Sequence, residues 1–395
     1  MLINRSIAPI LQKIAQEFPV IAILGPRQSG KSTLAQMVFG QHRYVSLEDL
    51  DLRLQAEVDP RGFLDHYQNP YGIILDEIQH VPGLLSYIQT RVDREKQAGY
   101  FILTGSQNFL VNQAVSQTLA GRMAILTLLP LTIDELQASS KLPGSLETLV
   151  YQGGYPSLYE KERTISLWCS SYITSYIERD VRQVTKVGDL AVFKLFLRLC
   201  AGRIGQLLNV SSLANDCGIS YQIAQNWLSL LEASYIIKLL QPHYKNFSKR
   251  LIKQPKIYFY DTGLACALLG IESADQVVSH YLRGGLVENL IIIDLHKQLY
   301  NLAREPQIYF WRDNHGSEID CLLERGLRLV PVEVKSGKTL NLDFFKALGY
   351  WSGLAGQLPQ DGFVVYGGDE NKQLSYGHAV GWRSVHLVLD FLLRD

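Results

Sequence analysis

The stretch from Val20 to Thr33 constrains the fold more than any other part of this 395-residue chain. An apolar run rich in β-branched residues ends at Gly25, and after four intervening residues come Gly30, Lys31 and Ser32. This is the spacing of a phosphate-binding loop between a buried strand and a helix. The glycines let the backbone curl, so that its N–H groups and the start of the helix face an anion. Because every fixed position matches, the stretch predicts a nucleotide-binding α/β domain and not a chance glycine-rich turn.

Each residue type in such a loop has a chemical task. Lys31 is predicted to reach the β- and γ-phosphates of a nucleotide, and the Ser32 hydroxyl to ligate Mg²⁺. The predicted cofactors are therefore ATP and Mg²⁺. We expect the whole loop to bind the nucleotide, namely Gly25, Pro26, Arg27, Gln28, Ser29, Gly30, Lys31, Ser32 and Thr33.

A second apolar run, at residues 72–75, closes in the acids Asp76 and Glu77. Such a run suits a strand buried on both faces, and the carboxyl ends of parallel strands are where these sheets bind ligands. Asp76 is predicted to hold Mg²⁺, and Glu77 to act as the general base on the attacking water. A strand that merely ends in two acids is also common, but beside the loop the catalytic interpretation is favoured.

Polar residues after the next strand are candidates for contacts with the γ-phosphate or the attacking water. Ser106 is the first choice, with Gln107 or Thr104 as substitutes, and a serine that only caps the next helix is an equal alternative. Arg122 is a candidate arginine finger for a neighbouring subunit, which implies a homo-oligomer, although a solvated arginine is the commoner outcome. The competing candidates for this role are Arg27, Arg179 and Arg182.

Composition limits the remaining choices. The length predicts two or three domains, and the equal numbers of acidic and basic residues give no global signal for nucleic acid. Five cysteines without a C-x-x-C pair argue against a zinc site or a disulfide framework. No apolar run approaches the roughly 20 residues needed to span a bilayer, so we expect a cytoplasmic protein with no membrane partner.

The middle of the chain has an almost wholly helical pattern. Residues 210–231 fit a helix-turn-helix with Gly218 at the turn, and residues 236–240 and 258–260 fit a β-wing around the basic segment 245–250. Such a winged helix contacts double-stranded DNA in some proteins and serves as a lid or subunit contact in others. The second helix has no Lys or Arg, so both alternatives stay open. The DNA contacts would come from Tyr221, Gln222, Gln225 and Asn226.

The last third of the chain carries a second set of acids. Asp320 is followed after twelve residues by Glu333-Val-Lys335, and an apolar helix before them carries Glu288. The period of a strand puts Glu333 and Lys335 on one face, where the acid can bind Mg²⁺ and the lysine can contact the nucleophilic water or the scissile phosphate. We therefore predict Asp320 and Glu333 as metal ligands and Lys335 as catalytic. A Glu–Lys ladder on an exposed strand is the alternative.

Taken together, these motifs resemble those of prokaryotic AAA-like P-loop ATPases that carry a C-terminal domain of unknown function. The resemblance implies an ATPase domain at residues 1–140, a helical and winged-helix domain at 141–275, and a PD-(D/E)XK nuclease-like α+β domain at 276–395. It implies αβββαβ order in the last domain, and it adds Glu288 to Asp320 and Glu333 as a metal ligand. The first domain is expected to be α/β with a parallel sheet.

Two functional hypotheses follow. The first is a Mg²⁺-dependent ATPase, with ATP and ADP as ligands, coupled to a nuclease-like domain that acts on or binds DNA. The second is a nucleotide-gated switch or assembly platform, or a DNA-binding regulator, whose nuclease-like domain is not catalytic.

Overall fold

The computed structural model describes residues 3–105, 119–161, 163–176, 190–243 and 253–394. Several predicted positions lie outside these ranges: Ser106, Gln107, Arg179, Arg182 and the basic segment 245–250. The chain divides into two compact units. The first comprises Met1–Leu131, Ala233–Tyr235 and Leu299–Glu305; the second comprises Thr132–Glu232, Ile236–Gln298 and Pro306–Asp395.

The first unit is built on a five-stranded parallel sheet in the order β2-β3-β4-β1-β5, as its alternating strands and helices predict. The strands are β1 (Val20–Leu24), β2 (Arg43–Ser46), β3 (Ile73–Asp76), β4 (Phe101–Gly105) and β5 (Met123–Thr127). The helices are α1 (Ala8–Ile14), α2 (Lys31–Val38), α3 (Leu50–Val58), α4 (Pro60–His66) and α5 (Leu84–Glu95).

Helices cover both faces of this sheet. Alternate residues of β1 enter different cores, with Ala22 on the side of α4 and α5 and Ile23 on the side of α1 and α2. A strand that is buried on both faces needs an unbroken apolar run, which is what the sequence of β1 shows. The packing fixes the carboxyl end of β1, and therefore the loop that follows it, beside the ends of β3 and β4.

The second unit begins with a helical region that ends in a pair of strands. Its elements are α6 (Ile133–Ala138), α7 (Leu146–Gln152), α8 (Ser157–Glu160), α9 (Ile165–Tyr176), α10 (Leu190–Ala201), α11 (Val210–Cys217), α12 (Tyr221–Ala233), β6 (Ile237–Leu240), β7 (Lys256–Phe259), α13 (Thr262–Leu268) and α14 (Ala274–Ser279). Gly218 takes the left-handed conformation that ends α11, with φ 65°. The predicted helix pair and the antiparallel pair β6–β7 are both present.

The same unit ends in a six-stranded mixed sheet in the order β12-β13-β11-β10-β9-β8. Its elements are α15 (Arg283–Asn301), β8 (Ile308–Arg312), β9 (Glu318–Arg325), β10 (Arg328–Lys335), α16 (Lys346–Ala355), β11 (Phe363–Tyr366), β12 (Lys372–Leu374), β13 (Gly377–Gly381) and α17 (His386–Leu393). From α15 to β11 the order is αβββαβ, as expected. Among the helices in the described ranges, none is long and apolar enough to cross a membrane.

Candidate functional site

The loop after β1 has a backbone that only small residues tolerate at two positions. Gly25 has φ 150°, and a Cβ there would overlap the carbonyl oxygen of Leu128. Gly30 has φ 94° and stands at the N-cap of α2. The fully buried Ser29 hydroxyl between them has no hydrogen-bond partner among the described residues. A curled loop with an unsatisfied buried donor fits a phosphate-bearing ligand.

Two buried cations hold the ends of this loop. The Lys31 ammonium donates to the carbonyl oxygens of Gly25 at 3.1 Å and Pro26 at 2.8 Å, and the residue is 5% exposed. The Arg5 guanidinium donates to the carbonyl oxygens of Ser29 at 2.8 Å and Leu129 at 2.6 Å. Arg5 therefore ties the loop to the chain that follows β5.

Asp76, at the end of β3, accepts hydrogen bonds from three hydroxyl groups. The Ser32 hydroxyl donates to its Oδ1 at 2.7 Å, and the Tyr44 hydroxyl donates to its Oδ2 at 2.7 Å. The Thr104 hydroxyl also donates to Oδ1. Burial, followed by the contact with Asp76, raises the pKa of Tyr44, so its hydroxyl stays a donor. The structure thus brings together the two residues predicted to hold Mg²⁺.

Glu77 has a left-handed backbone, with φ 56° and ψ 46°. For a residue with a Cβ this conformation costs about 1–2 kcal/mol, so the surrounding structure must enforce it. Its carboxylate accepts a hydrogen bond from the Gln79 side-chain amide. The predicted general base therefore lies directly beyond Asp76, with its side chain engaged locally.

Arg122 lies at the amino ends of the parallel strands, whereas the loop lies at their carboxyl ends. Its carbonyl oxygen accepts from the Val20 N–H at the start of β1, and its guanidinium pairs with Asp93 on α5 at 3.1 Å. At ~3.3 Å per residue, the length of β1 separates it from its own loop by about 15 Å. The structure does not bring Arg122 to the nucleotide loop of the same chain.

The second unit holds a cluster of carboxylates between α15 and β9. Oxygen atoms of Glu288, Glu318 and Asp320 all lie within 4.8 Å of one another. Three carboxylates at this spacing are the ligand type that Mg²⁺ and Mn²⁺ prefer. Of the predicted ligands, Glu288 and Asp320 are in this group.

Glu333 contacts the cluster through Asp320. The registered pairing of β9 with β10 ends at Cys321 and Val332, where β10 begins to pair with β11. Beyond that point side chains replace the ladder: the Glu333 carboxylate accepts the Asp320 N–H at 3.3 Å, and the Asp320 carboxylate accepts the Val334 N–H at 2.9 Å.

Lys335 projects to the same place. Its ammonium donates to Glu333 at 2.6 Å and lies 3.8 Å from Asp320. The structure therefore brings Asp320, Glu333 and Lys335 into contact, as the spacing of these residues predicts.

A further lysine enters the cluster from β7. The Lys256 ammonium donates to Glu288 at 2.9 Å and also pairs with Glu318, although the side chain is only 2% exposed. Two residues along the same strand, the Tyr258 hydroxyl donates to Glu288 at 2.5 Å.

The pKa shifts reflect this crowding. Burial, followed by repulsion from Asp320, raises the pKa of both Glu288 and Glu333 well above the usual range of a glutamate. Burial alone would lower the pKa of Lys256, but the carboxylates of Glu288, Asp320 and Glu318 raise it above its usual value. Lys256 therefore stays charged in this site.

The polar residues predicted to read DNA lie together on the outer face of α12. Tyr221, Gln222, Gln225 and Asn226 are all exposed. They bond along the helix: Gln222 donates to Asn226 at 3.1 Å, and Gln225 donates to the Tyr221 hydroxyl at 2.9 Å.

Sequence reasoning missed several members of both sites. Glu318 stands two residues before Asp320 in one strand, so strand periodicity could have found it. The alternation of Lys256 and Tyr258 is a similar signal, but nothing local indicates that β7 faces α15. Likewise, the sequence around Arg5 and Tyr44 gives no sign of their contacts with the loop and Asp76.

Three family models match successive parts of the chain. Residues 17–137 match an AAA domain, residues 144–275 a domain of unknown function (DUF8612), and residues 283–385 another domain of unknown function (DUF4143). The first match and the loop geometry identify an AAA-like P-loop ATPase domain at the start of the chain.

Several proteins are similar over most of the chain. An uncharacterized protein of Mycobacterium tuberculosis is 28% identical over 342 residues, covering 85% of this chain and 74% of that protein. An uncharacterized protein of Haemophilus influenzae is 22% identical, covering 71% of this chain and 75% of that protein. Among solved structures, a Walker-type ATPase of Pyrococcus abyssi is 16% identical with a TM-score of 0.44, covering 68% of this chain and 96% of that one. AMPPCP-bound DnaA from Aquifex aeolicus is 15% identical with a TM-score of 0.31, covering 57% of this chain and 85% of that one.

Proposed function

We propose that the chain is a Mg²⁺-dependent ATPase whose nucleotide cycle controls a nuclease-like domain acting on DNA. The observation that carries the ATPase part is the 2.7 Å contact between the Ser32 hydroxyl and Asp76, directly behind a loop built for phosphate. Ser32 lies in the first turn of α2 and Asp76 ends β3, 44 residues later in the chain, so this contact depends on the packing of β1, β4 and β3 in one sheet.

Residues of the loop and residues at the end of β3 have different roles in phosphoryl transfer. Lys31 would bind phosphate oxygens, and Asp76 with Ser32 would hold Mg²⁺. When bound, Mg²⁺ neutralises the negative charge that a phosphoryl group carries during transfer. Glu77 would accept a proton from the attacking water, since the Gln79 amide engages only one of its two carboxylate oxygens.

The nuclease-like part is proposed from the second cluster. Glu288, Glu318 and Asp320 offer carboxylate oxygens to a divalent cation, which polarises a phosphate ester when bound. Lys335 lies beside Asp320 and Glu333, where its ammonium can orient a water or a phosphate oxygen. The exposed polar face of α12 is a second surface for duplex DNA.

The decisive experiment compares ATP hydrolysis and Mn²⁺-dependent DNA cleavage in the parent and three variants. Lys31→Ala should lose hydrolysis, and Lys335→Ala should lose cleavage. Lys338→Ala is the matched control, because Lys338 is 68% exposed and only three residues from Lys335. Hydrolysis that survives Lys31→Ala contradicts the ATPase role, and cleavage that survives Lys335→Ala contradicts the nuclease role.

A second function is favoured by one observation. The ammonium of Lys256 already satisfies two carboxylates of the cluster, as a structural ion pair would. In that case the protein is a nucleotide-gated assembly platform with a C-terminal domain that does not cleave. It would change its oligomeric mass on addition of ATP, as measured by light scattering, while leaving DNA intact.

A further inference from the structure

The acid cluster already contains a buried cation that comes from outside the C-terminal sheet. Lys256 lies on β7, in the region matched by a different family model from α15 and β9. Its ammonium contacts Glu288 and Glu318, and it stands 5.7 Å from the Phe310 ring. Burying an ammonium is costly unless carboxylates compensate it, so this position is specific.

The carboxylates that hold Lys256 are also those that would hold a metal. Glu288 and Glu318 are two of the three members of the group whose oxygens lie within 4.8 Å of one another. We propose that Lys256 is a built-in cation that competes with a divalent metal ion for these two carboxylates. The inference rests on the proposed function, because it takes the cluster as the metal site.

The charges around the cluster favour a metal ion that replaces Lys256 over a metal ion that binds beside it. The carboxylates of Glu288, Glu318, Asp320 and Glu333 are met by the cationic groups of Lys256, Lys335 and Arg312. With all four acids ionised, a divalent ion placed beside all three cations would leave the site positive. An ion that takes the place of Lys256 instead leaves it close to neutral.

The position of β7 decides whether Lys256 reaches the cluster. Leu240 of β6 pairs with Lys256, and Leu207 forms a bridge to it from the other side. The adjoining chain packs closely on the start of α15, since a Cβ at Gly285 would come within 2.7 Å of the Ile204 carbonyl oxygen. A shift of β7 away from α15 would withdraw the ammonium and open the site. Metal binding is thereby linked to the conformation of the helical region.

The test is a calorimetric titration of the full chain with Mn²⁺ in the absence of nucleotide. We expect Lys256→Gln to bind Mn²⁺ at least tenfold more tightly than the parent. Lys253→Gln should match the parent, because Lys253 is exposed on the same segment. Lys256→Arg keeps the positive charge, so this variant should bind Mn²⁺ about as weakly as the parent does. Asp320→Asn removes one carboxylate of the cluster, so the heat of Mn²⁺ binding that this variant loses is the heat of binding at the cluster.

The outcomes separate this inference from the proposed function. If the parent binds Mn²⁺ at the cluster as tightly as Lys256→Gln does, competition is excluded and the metal site stands. If neither binds Mn²⁺ there, both proposals fail. Should Lys256→Gln not fold alone, its refolding yield is measured with Mn²⁺ and with EDTA. Rescue by Mn²⁺ supports the inference, and equal yields overturn it.

Discussion

The two candidate sites stabilise their carboxylates in different ways. In the nucleotide site one carboxylate, Asp76, is surrounded by neutral hydroxyls from Ser32, Tyr44 and Thr104. In the acid cluster, carboxylates lie close together and lysines compensate them. Hydroxyls satisfy an acid without cancelling its charge, so Asp76 can attract a cation directly. The lysines offset that charge, and in our proposal a metal ion competes with Lys256 for the oxygens of Glu288 and Glu318.

The largest expected effect comes from the single acid of the nucleotide site. Asp76→Asn keeps the shape of the side chain but removes its charge, so ATP hydrolysis should fall by more than about 100-fold. Asp65→Asn is the control, because Asp65 is 70% exposed. A steady-state assay that shows less than a tenfold loss would mean that Asp76 does not serve the cation.

The acid cluster should respond independently. Asp320→Asn should weaken Mn²⁺ binding at the cluster by about 10- to 100-fold, because it removes a charged ligand. ATP hydrolysis by the same variant should stay within about twofold of the parent. A comparable fall in Mn²⁺ binding and in ATP hydrolysis would mean that the two sites do not act independently.

A smaller effect is expected from the residue that ties down the nucleotide loop. Arg5→Ala leaves the carbonyl oxygens of Ser29 and Leu129 without these donors, at a cost of about 1–3 kcal/mol. We expect KM for ATP to rise about tenfold with a smaller change in kcat, and Arg5→Lys to recover part of it. An unchanged KM with only a lower Tm would reduce Arg5 to a structural role.

The smallest effect concerns a buried acid on the same helix as Glu288. Burial, followed by repulsion from Asp134, raises the pKa of Asp294 to about 7. Because this is above its unfolded value, its stabilising contribution is full below about pH 4 and lost as the pH rises through 7. Between pH 6 and pH 8 the parent should lose about 1 kcal/mol of unfolding free energy relative to Asp294→Asn.

Urea denaturation at several pH values measures this difference. The exposed acid Asp275 provides the control, since Asp275→Asn should follow the parent at every pH. Parallel curves for Asp294→Asn and the parent would contradict the shifted pKa.

Local patterns predicted most of the first unit. The phosphate-binding loop and the Asp-Glu strand end each consist of residues that are close together in the chain, so their arrangement can be predicted from their spacing. The contact between Ser32 and Asp76 follows once the strands are parallel. Arg5 and Tyr44 could not be predicted, because their contacts depend on how distant segments pack.

In the second unit the order of the elements was predictable, but the contacts between distant elements were not. Asp320, Glu333 and Lys335 meet because strand periodicity and the order of the elements bring them together. The contact of Lys256 with Glu288 joins residues 32 positions apart on different elements, and no periodicity encodes it. Glu318 carried a usable signal, since it lies on the same face of its strand as Asp320.

We propose that the chain holds two separate divalent-cation sites, and that Lys256 occupies one of them. Anomalous diffraction from crystals of Lys256→Gln grown with Mn²⁺ and a non-hydrolysable ATP analogue tests both sites in one measurement. We expect one Mn²⁺ peak beside Ser32 and Asp76 and a second among Glu288, Glu318 and Asp320. A single peak at the nucleotide site, with the acid cluster empty at saturating Mn²⁺, would contradict it.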